Sequence, residues 1–342
     1  MTGRSHDEAH YDIPLPEELI ARYPAPLRDA SRLMGVDSLA GKIEDLGLFH
    51  NLPAHIRPGD LLGVNDTRVF RARLRGKRRT GGAVETVLLS QNGPVVPALV
   101  RPLTKLKPGE PILFGDIEAR IGRRLEGGPV ELDFGDIDLP EFVARRGLVP
   151  LPPYIKRPPE EVDAERYQTV YAAKEDRLGA VAAPTAGFHF TIDLLDRIRA
   201  AGGEIAALTL HVGYGTFAPV EPGQTRLHPE RYEIPAETVR KIESRRGRLI
   251  AVGTTVIRAL ESWKSSGKSS GETDIYIRPG HVFRSAETLI TNFHLPGSSL
   301  LRLVHAFAGD LIFEAYRKAV AEQWRFYSYG DAMLVSRRNE NG

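Results

Sequence analysis

The stretch VFRARLRGK, residues 69–77, alternates between two kinds of side chain. Arg71, Arg73, Arg75 and Lys77 follow Val69 at the odd positions, and small or apolar residues occupy the even positions. A period of two residues is typical of a β-strand that buries one face and exposes the other. The stretch therefore predicts a half-buried strand with a basic outer face.

Further short segments with strand character follow this stretch. They are separated by Gly, Pro and Asp, and they lie at 84–89, 95–100, 111–114, 117–121 and 130–134. Short strands at this even spacing are typical of a small closed sheet. The sequence therefore predicts a small antiparallel β-barrel over roughly residues 65–140.

The pattern changes on both sides of this region. The apolar run at 61–64 predicts a buried strand, and the Pro-rich stretch PLPPYIKRPP at 150–159 predicts a boundary. Strands are then predicted at 205–212, 249–252, 274–277 and 288–291, with helices after Thr191, at 256–263, 299–308 and 311–322, and a flexible loop at 264–272. Alternating strands and helices favour an α/β domain.

Composition limits the class of protein. A chain of 342 residues suggests about two domains, and 46 Lys+Arg against 44 Asp+Glu leave a formal net charge of only +2. That balance excludes a strong overall attraction to nucleic acid but permits a local basic patch. Cysteine is absent, which excludes disulfides, thiol nucleophiles and thiolate metal sites. No apolar run has the length of a signal peptide or membrane span, so we expect a cytoplasmic protein.

The basic face of residues 71–77 has two interpretations. Basic side chains on one face of a strand stand about 6.6 Å apart, close to the phosphate spacing of an RNA strand. The alternative is a solvated barrel face. A nearly neutral protein with one dense basic face is compatible with a specific RNA enzyme.

Three motifs each place a histidine where a strand or turn ends. They are AVAAPTAGFHF with His189, LTLHVGYGTFAPV with His211 and LITNFHLPGSSLL with His294. Imidazole titrates near neutral pH, and loops at such positions often carry sites. A hydrogen-bonded histidine in a tight turn is the alternative for each. The spacing matches no recognised metal site, so no metal is predicted. VGTTVIR at 252–258 resembles a phosphate-binding turn but lacks the rest of a P-loop.

Taken together with GDLLGVNDTRVFRARLRGK, LPPYIKR, YQTVYA and FYSYGDAML, these motifs closely resemble the S-adenosylmethionine:tRNA ribosyltransferase-isomerase family. The resemblance runs from LPEELIARYP at 15–24 to residue 334. It implies a mixed α/β core of residues 1–64 and 150–342 with a β-barrel domain inserted at 65–149. That division agrees with the changes of pattern near residues 65 and 150.

The resemblance also implies a reaction. The ribosyl group of S-adenosylmethionine is transferred to 7-aminomethyl-7-deazaguanine at the wobble position of a tRNA and isomerised, giving epoxyqueuosine-tRNA, adenine and methionine. S-adenosylmethionine is a co-substrate, and no metal or redox cofactor is implied. The partner is a tRNA anticodon stem-loop, and the family suggests a monomer.

The resemblance further suggests the site residues. His189, His211 and His294 are the candidates for acid–base catalysis. The loops expected to hold the methionine carboxylate and ribose contain Thr185, Ala186, Gly187, Gly213, Gly215 and Thr216. From the basic strand face described above, and not from the resemblance, Arg71, Arg73 and Lys77 are the candidates for binding tRNA.

Two alternatives belong to other classes. An RNA methyltransferase using the same donor commonly needs a Gly-rich loop after an early strand, and the chain shows none. A non-catalytic RNA-binding barrel protein would not explain three histidine motifs outside the barrel.

Overall fold

A computed structural model describes residue 11 and residues 13–173, 178–213 and 223–337. These residues form a nine-stranded sheet, a closed six-stranded barrel and a small two-stranded sheet. The model therefore confirms the predicted α/β core with a small antiparallel barrel. The domain limits at 64/65 and 149/150 remain a prediction.

The described strands, in chain order, are β1 (Arg32–Asp37), β2 (Lys42–Leu48), β3 (Leu61–Asn65), β4 (Arg68–Val69), β5 (Arg73–Arg78), β6 (Ala83–Leu88), β7 (Val95–Arg101), β8 (Pro111–Phe114), β9 (Ile117–Arg124), β10 (Val130–Asp133), β11 (Leu178–Ala180), β12 (Glu204–Leu210), β13 (Glu230–Glu233), β14 (Leu249–Val252), β15 (Ser270–Thr273), β16 (Thr288–Asn292) and β17 (Ala332–Ser336). The described α-helices are α1 (Leu139–Arg146), α2 (Glu161–Arg166), α3 (Ile192–Ala200), α4 (Ala236–Ser244), α5 (Thr254–Ser266), α6 (Ser299–Ala308) and α7 (Leu311–Ala321).

Four parallel strands form the centre of the large sheet. The strand order is β15-β13-β12-β3-β14-β16-β17-β1-β2, and β12, β3, β14 and β16 run parallel to their neighbours within this group. Every residue of β3, β14 and β16 is buried. Strands covered on both faces read as nearly continuous apolar runs, which explains why β3 and β14 were predictable from the sequence. Strand β16 differs, because it also buries Thr288, Thr291 and Asn292.

Helices cover both faces of this sheet. Leu61, Leu249 and Ala251 pack in one apolar cluster with helices α4 to α7. Their neighbours along the strands, including Leu62 and Ile250, pack in a second cluster with α3 and the 3₁₀ segment Phe49–His55. Successive side chains of a strand point to opposite faces, so the core has three layers. As predicted, the Thr191 side chain caps α3 by accepting from the Leu194 N–H.

The barrel closes in the order β10-β7-β6-β5-β8-β9 around its own apolar cluster. Gly76 matters to this closure, because a Cβ there would lie 2.7 Å from the Ile112 side chain and 2.8 Å from that of Phe114. The prediction of a single strand over residues 69–77 is wrong in one respect. Val69 pairs with β11 outside the barrel, and the chain turns at residues 70–72 before β5 begins.

The region after α5 corrects a second prediction. The run at 264–272 was expected to be a loop and 274–277 a strand. Instead α5 continues to Ser266, Gly267 ends it at φ +72°, and Ser270–Thr273 forms the edge strand β15 against β13. Serine and glycine content indicated a flexible loop, but pairing with β13 decides the structure. Among the described residues, no helix is both long and apolar enough to cross a bilayer.

A small junction cluster joins the barrel segment to the core. It contains Val69 from β4, Leu151 from the chain leaving the barrel, and Ala183, Phe188 and Tyr329 from the core. The barrel segment is thus fastened to the core by buried apolar contacts at its beginning and its end.

Candidate active site

A cavity of about 430 Å³ lies at the carboxyl ends of the parallel strands. Ligands in open α/β sheets bind at this edge, beyond the strand ends. The cavity is lined by Pro153, Tyr154, Ala183, Pro184, Thr185, Ala186, Val212, Gly253, Thr254, Thr255, Thr291, Asn292, His294, Leu295, Pro296, Gly297, Ser298, Leu300, Tyr327 and Ser328. The described lining includes no Asp, Glu, Lys or Arg side chain.

Asn65 fixes the floor of this region. Its buried side chain donates to the Leu210 carbonyl at 3.0 Å and to Thr255 Oγ1 at 3.1 Å. Its carbonyl oxygen accepts from the backbone N–H groups of Thr67 and Leu210. One amide side chain therefore holds the ends of β3 and β12 and the first turn of α5 in fixed positions.

The turn between β14 and α5 forms one wall. Gly253 has φ +95°, a backbone conformation that favours glycine, and gives α5 no side-chain cap. Its N–H donates to the Ile290 carbonyl, which fixes the turn against β16. The N–H groups of Thr254 and Thr255 have no hydrogen-bond partner among the described residues. From the sequence, this turn was considered only as a possible site for a nucleoside triphosphate. Its position beside the three histidine motifs was not predicted.

Among the three predicted histidines, His294 lines the cavity. Its Nε2 lies 2.6 Å from Thr291 Oγ1, and its backbone N–H donates to Tyr316 Oη at 2.6 Å. Nδ1 has no hydrogen-bond partner among the described residues. Removal from bulk water lowers the pKa of His294 to about 3, although the half-buried ring remains reachable from the cavity. The imidazole is therefore neutral at physiological pH.

His189 lies one layer behind the cavity. It is 3% exposed, with Nδ1 2.7 Å from Ser31 Oγ and Nε2 3.0 Å from Asn292 Nδ2. Burial, followed by the positive charge of Arg325, lowers the pKa of His189 to about 3. In the neutral ring, Nε2 accepts from the Asn292 amide and Nδ1–H donates to Ser31. His189 thereby orients Asn292, whose Oδ1 accepts from the cavity residue Thr185 at 3.0 Å.

His211 follows β12 and is not among the residues lining the cavity, although its neighbour Val212 is. Its Nδ1 lies 3.0 Å from Thr67 Oγ1, and its ring packs on Gly179. A Cβ at Gly179 would lie 2.6 Å from that nitrogen. The structure therefore brings His294 to the cavity, His189 behind it and His211 beside it.

The predicted binding loops divide in the same way. Thr185 and Ala186 line the cavity. Gly187 packs away from it, since a Cβ there would lie 2.1 Å from Tyr171 Oη. The Gly213 N–H donates to Glu230 Oε1 at 2.7 Å. The predictions for Gly215 and Thr216 fall outside the described residues.

Two tyrosines that sequence reasoning missed also line the cavity, Tyr154 and Tyr327. The rings of Tyr154 and Tyr327 lie 4.7 Å apart, and Tyr154 Oη is 2.5 Å from Ser328 Oγ. Burial raises the pKa of both phenols. Tyr327 has φ +69°, a conformation that costs energy for a bulky residue and is common at functional sites. Both belong to quoted motifs, but their spacing alone does not separate a cavity wall from ordinary core.

The predicted RNA-binding residues lie on the barrel segment. Arg71 and Lys77 are exposed and have no ion-pair partner among the described residues. Arg73 instead pairs with Glu85 at 2.9 Å and donates to the Leu151 carbonyl at 2.7 Å. Arg75, on the same strand, is exposed and unpaired within the described chain. No group of three or more His, Asp or Glu in the described parts of the chain is arranged to hold a metal ion.

Comparison with known proteins agrees with this architecture. The family model described as "Queuosine biosynthesis protein" matches residues 8–335. A protein of Rubrobacter xylanophilus is 48% identical over 96% of this chain and 97% of its own length, and one of Symbiobacterium thermophilum is 49% identical over 95% and 98%. Both are named S-adenosylmethionine:tRNA ribosyltransferase-isomerase.

A solved structure gives the same result. The S-adenosylmethionine tRNA ribosyltransferase of Thermotoga maritima is 35% identical and aligns with a TM-score of 0.56 over 95% of this chain and 99% of that one. The family indicated by the sequence motifs is therefore confirmed. With a family match over nearly its whole length, the chain belongs to the queuosine biosynthesis protein family.

Proposed function

We propose that the chain transfers and isomerises the ribosyl group of S-adenosylmethionine onto 7-aminomethyl-7-deazaguanine at the tRNA wobble position. The products are epoxyqueuosine-tRNA, adenine and methionine. The observation that carries this proposal is the near full-length similarity to enzymes named for this activity. A cavity of about 430 Å³ at the strand ends is of the size that holds a small-molecule substrate.

His294 is the acid–base residue of the proposed reaction. If Nε2–H donates to Thr291, the lone pair of Nδ1 is available to a bound substrate. The neutral imidazole takes the proton next to the sulfonium, and the carbanion formed there attacks the anomeric carbon, so that the new C–C bond forms as the bond to adenine breaks. The same ring then carries this proton to the leaving adenine. The tRNA amine then attacks the anomeric carbon and breaks its bond to the ring oxygen, and that oxygen displaces methionine from the neighbouring carbon as the epoxide closes.

Thr185 and Asn292 bind the ribose in this scheme. Their side chains line the cavity and are joined by a hydrogen bond. His189 is a positioning residue, because it touches Asn292 and not the cavity. His211 remains a candidate on the side of Val212, with Thr67 as its partner.

The tRNA anticodon stem-loop binds along the barrel segment and presents the modified base to the cavity. Exposed, unpaired cations at Arg71, Arg75 and Lys77 supply phosphate contacts. The wobble base leaves its stack to reach the buried reaction site. We further propose that the protein acts as a monomer in the cytoplasm, where its tRNA substrate is found.

The salt dependence of tRNA binding tests this surface. Replacing Arg71, Arg75 and Lys77 together by Ala should make the slope of log affinity against log salt shallower by about two, because fewer counterions are released. Arg73→Ala should change the slope little, because Glu85 already compensates that charge. As a control, Arg57, Arg240 and Arg246 are replaced together by Ala. These residues are exposed and lie outside the barrel segment, so the slope should be preserved. An unaltered slope in the variant of Arg71, Arg75 and Lys77 would exclude the barrel face as the tRNA-binding surface.

Mass spectrometry of one reaction tests the function. The purified protein is mixed with S-adenosylmethionine and an anticodon stem-loop that carries the aminomethyl-deazaguanine base. Release of adenine and an RNA heavier by an epoxycyclopentanediol group supports the proposal. Formation of S-adenosylhomocysteine and a methylated RNA would instead indicate a methyltransferase. Bound but unchanged RNA would indicate a binding protein.

A further inference from the structure

We infer that the N-terminus of helix α5 binds the α-carboxylate of the methionine half of S-adenosylmethionine. The site consists of the backbone N–H groups of Thr254 and Thr255 and the Thr254 hydroxyl. The inference rests on the proposed function and deepens it. The sequence motifs predicted a different place for this carboxylate, namely the loops that contain Thr185 and Gly213.

The first observation is the unused end of a long helix. Helix α5 has 13 residues and opens into the cavity wall at Gly253–Thr255. Its first N–H groups have no partner among the described residues, and no side chain caps it. Aligned peptide dipoles give such an end a partial positive charge, which favours an anion.

The second observation is the Thr254 side chain. It is 5% exposed, lines the cavity, and its hydroxyl has no hydrogen-bond partner among the described residues. The hydroxyl oxygen remains accessible from the cavity, so a bound group can accept its hydrogen bond. By contrast, the hydroxyl of the adjacent Thr255 accepts from Asn65. Thr254 therefore points to a partner that occupies the cavity.

A second helix end at the cavity does not compete. Ser298 precedes α6 and also lines the cavity, but its own hydroxyl already caps that helix by accepting from the Leu301 N–H. A side-chain cap removes one of the free donors that an anion would need. Of these two helix ends, α5 is the uncapped one.

The charges around α5 point to the same conclusion. The described cavity lining has no Lys or Arg to pair with a carboxylate and no Asp or Glu to repel one. Arg258, one turn further along α5, is buried in an ion pair with Glu230. The end of α5 therefore offers a carboxylate partial positive charge with no charged side chain in the described lining to compete with it.

Binding of two nucleosides isolates the carboxylate. S-adenosylhomocysteine carries the amino-acid part, whereas 5′-methylthioadenosine lacks it. By calorimetry, Thr254→Val should weaken binding of S-adenosylhomocysteine about tenfold, as expected for a lost hydrogen bond to a charged group. Binding of 5′-methylthioadenosine should change less than about twofold, and Thr254→Ser should restore the wild-type affinities.

Thr238→Val is the matched control. Thr238 is also 5% exposed but does not line the cavity, and its hydroxyl donates to the Ala207 carbonyl, so thermal stability should fall while the preference for S-adenosylhomocysteine persists. Equal weakening of both nucleosides by Thr254→Val, or no weakening of either, would overturn the inference. Weaker stem-loop binding with unchanged S-adenosylhomocysteine binding would assign the helix end to an RNA phosphate and overturn it too. If the wild-type protein binds neither nucleoside, the proposed function itself fails.

Discussion

Replacing His294 by glutamine is expected to lower turnover in the proposed reaction by about 10²- to 10⁴-fold, the usual contribution of a positioned acid–base group. The glutamine amide can still reach Thr291, so the local structure should persist. It cannot take a proton from the carbon next to the sulfonium. Because the pKa of His294 is lowered to about 3, the wild-type ring is already neutral above about pH 4. Its titration should therefore not produce a loss of activity near pH 6.5.

Adenine release in a single turnover measures this effect without interference from product dissociation. Affinity for S-adenosylhomocysteine should change much less than turnover, because the neutral ring acts in the chemical step. His228→Gln, at an exposed position, is the control and should retain wild-type turnover. A His294→Gln enzyme with wild-type turnover would show that another group moves the proton.

Acidification from pH 7 to pH 5 should destabilise the wild-type protein by about 2 kcal/mol more than it destabilises His189→Gln. The pKa of His189 is lowered to about 3 in the folded protein, against 6.5 as its ordinary value. Between these values the unfolded chain binds a proton that the folded chain excludes. Stability therefore falls as pH drops below 6.5, and this contribution disappears when the imidazole is removed.

Denaturant unfolding at several pH values measures this difference. His189→Gln is expected to be less stable than wild type at pH 7, because the contacts with Ser31 and Asn292 change. The prediction concerns the slope with pH and not that offset. His228→Gln again serves as control and should keep the wild-type slope. Parallel curves for wild type and His189→Gln would mean that folding does not lower the pKa of His189.

Local patterns predicted much of the fold because the relevant physics is local. Alternation marked the barrel strands, and short apolar runs marked β3 and β14. The same patterns could not show that the chain turns at residues 70–72, because that depends on pairing between Val69 and the distant strand β11. They also placed Arg73 on the outer face but could not reveal its contacts with Glu85 and Leu151.

The candidate site was predictable only in part. The motif around His294 indicated a residue at a strand end, and this strand does end at the cavity. For His189 the sequence showed a turn, whereas the direction of its side chain depends on Ser31 and Asn292. The position of Thr254 at the cavity could not be predicted locally, because it depends on the pairing of β14 with β16.

The junction cluster has a thermodynamic consequence for an enzyme with two substrates. Val69 and Leu151 lie where the chain enters and leaves the barrel, and they share this buried cluster with Ala183, which lines the cavity. A few packed side chains therefore connect the proposed RNA surface with the small-molecule cavity. Linkage then requires reciprocity. If bound tRNA changes the affinity for S-adenosylmethionine by a certain factor, bound S-adenosylmethionine changes the affinity for tRNA by the same factor.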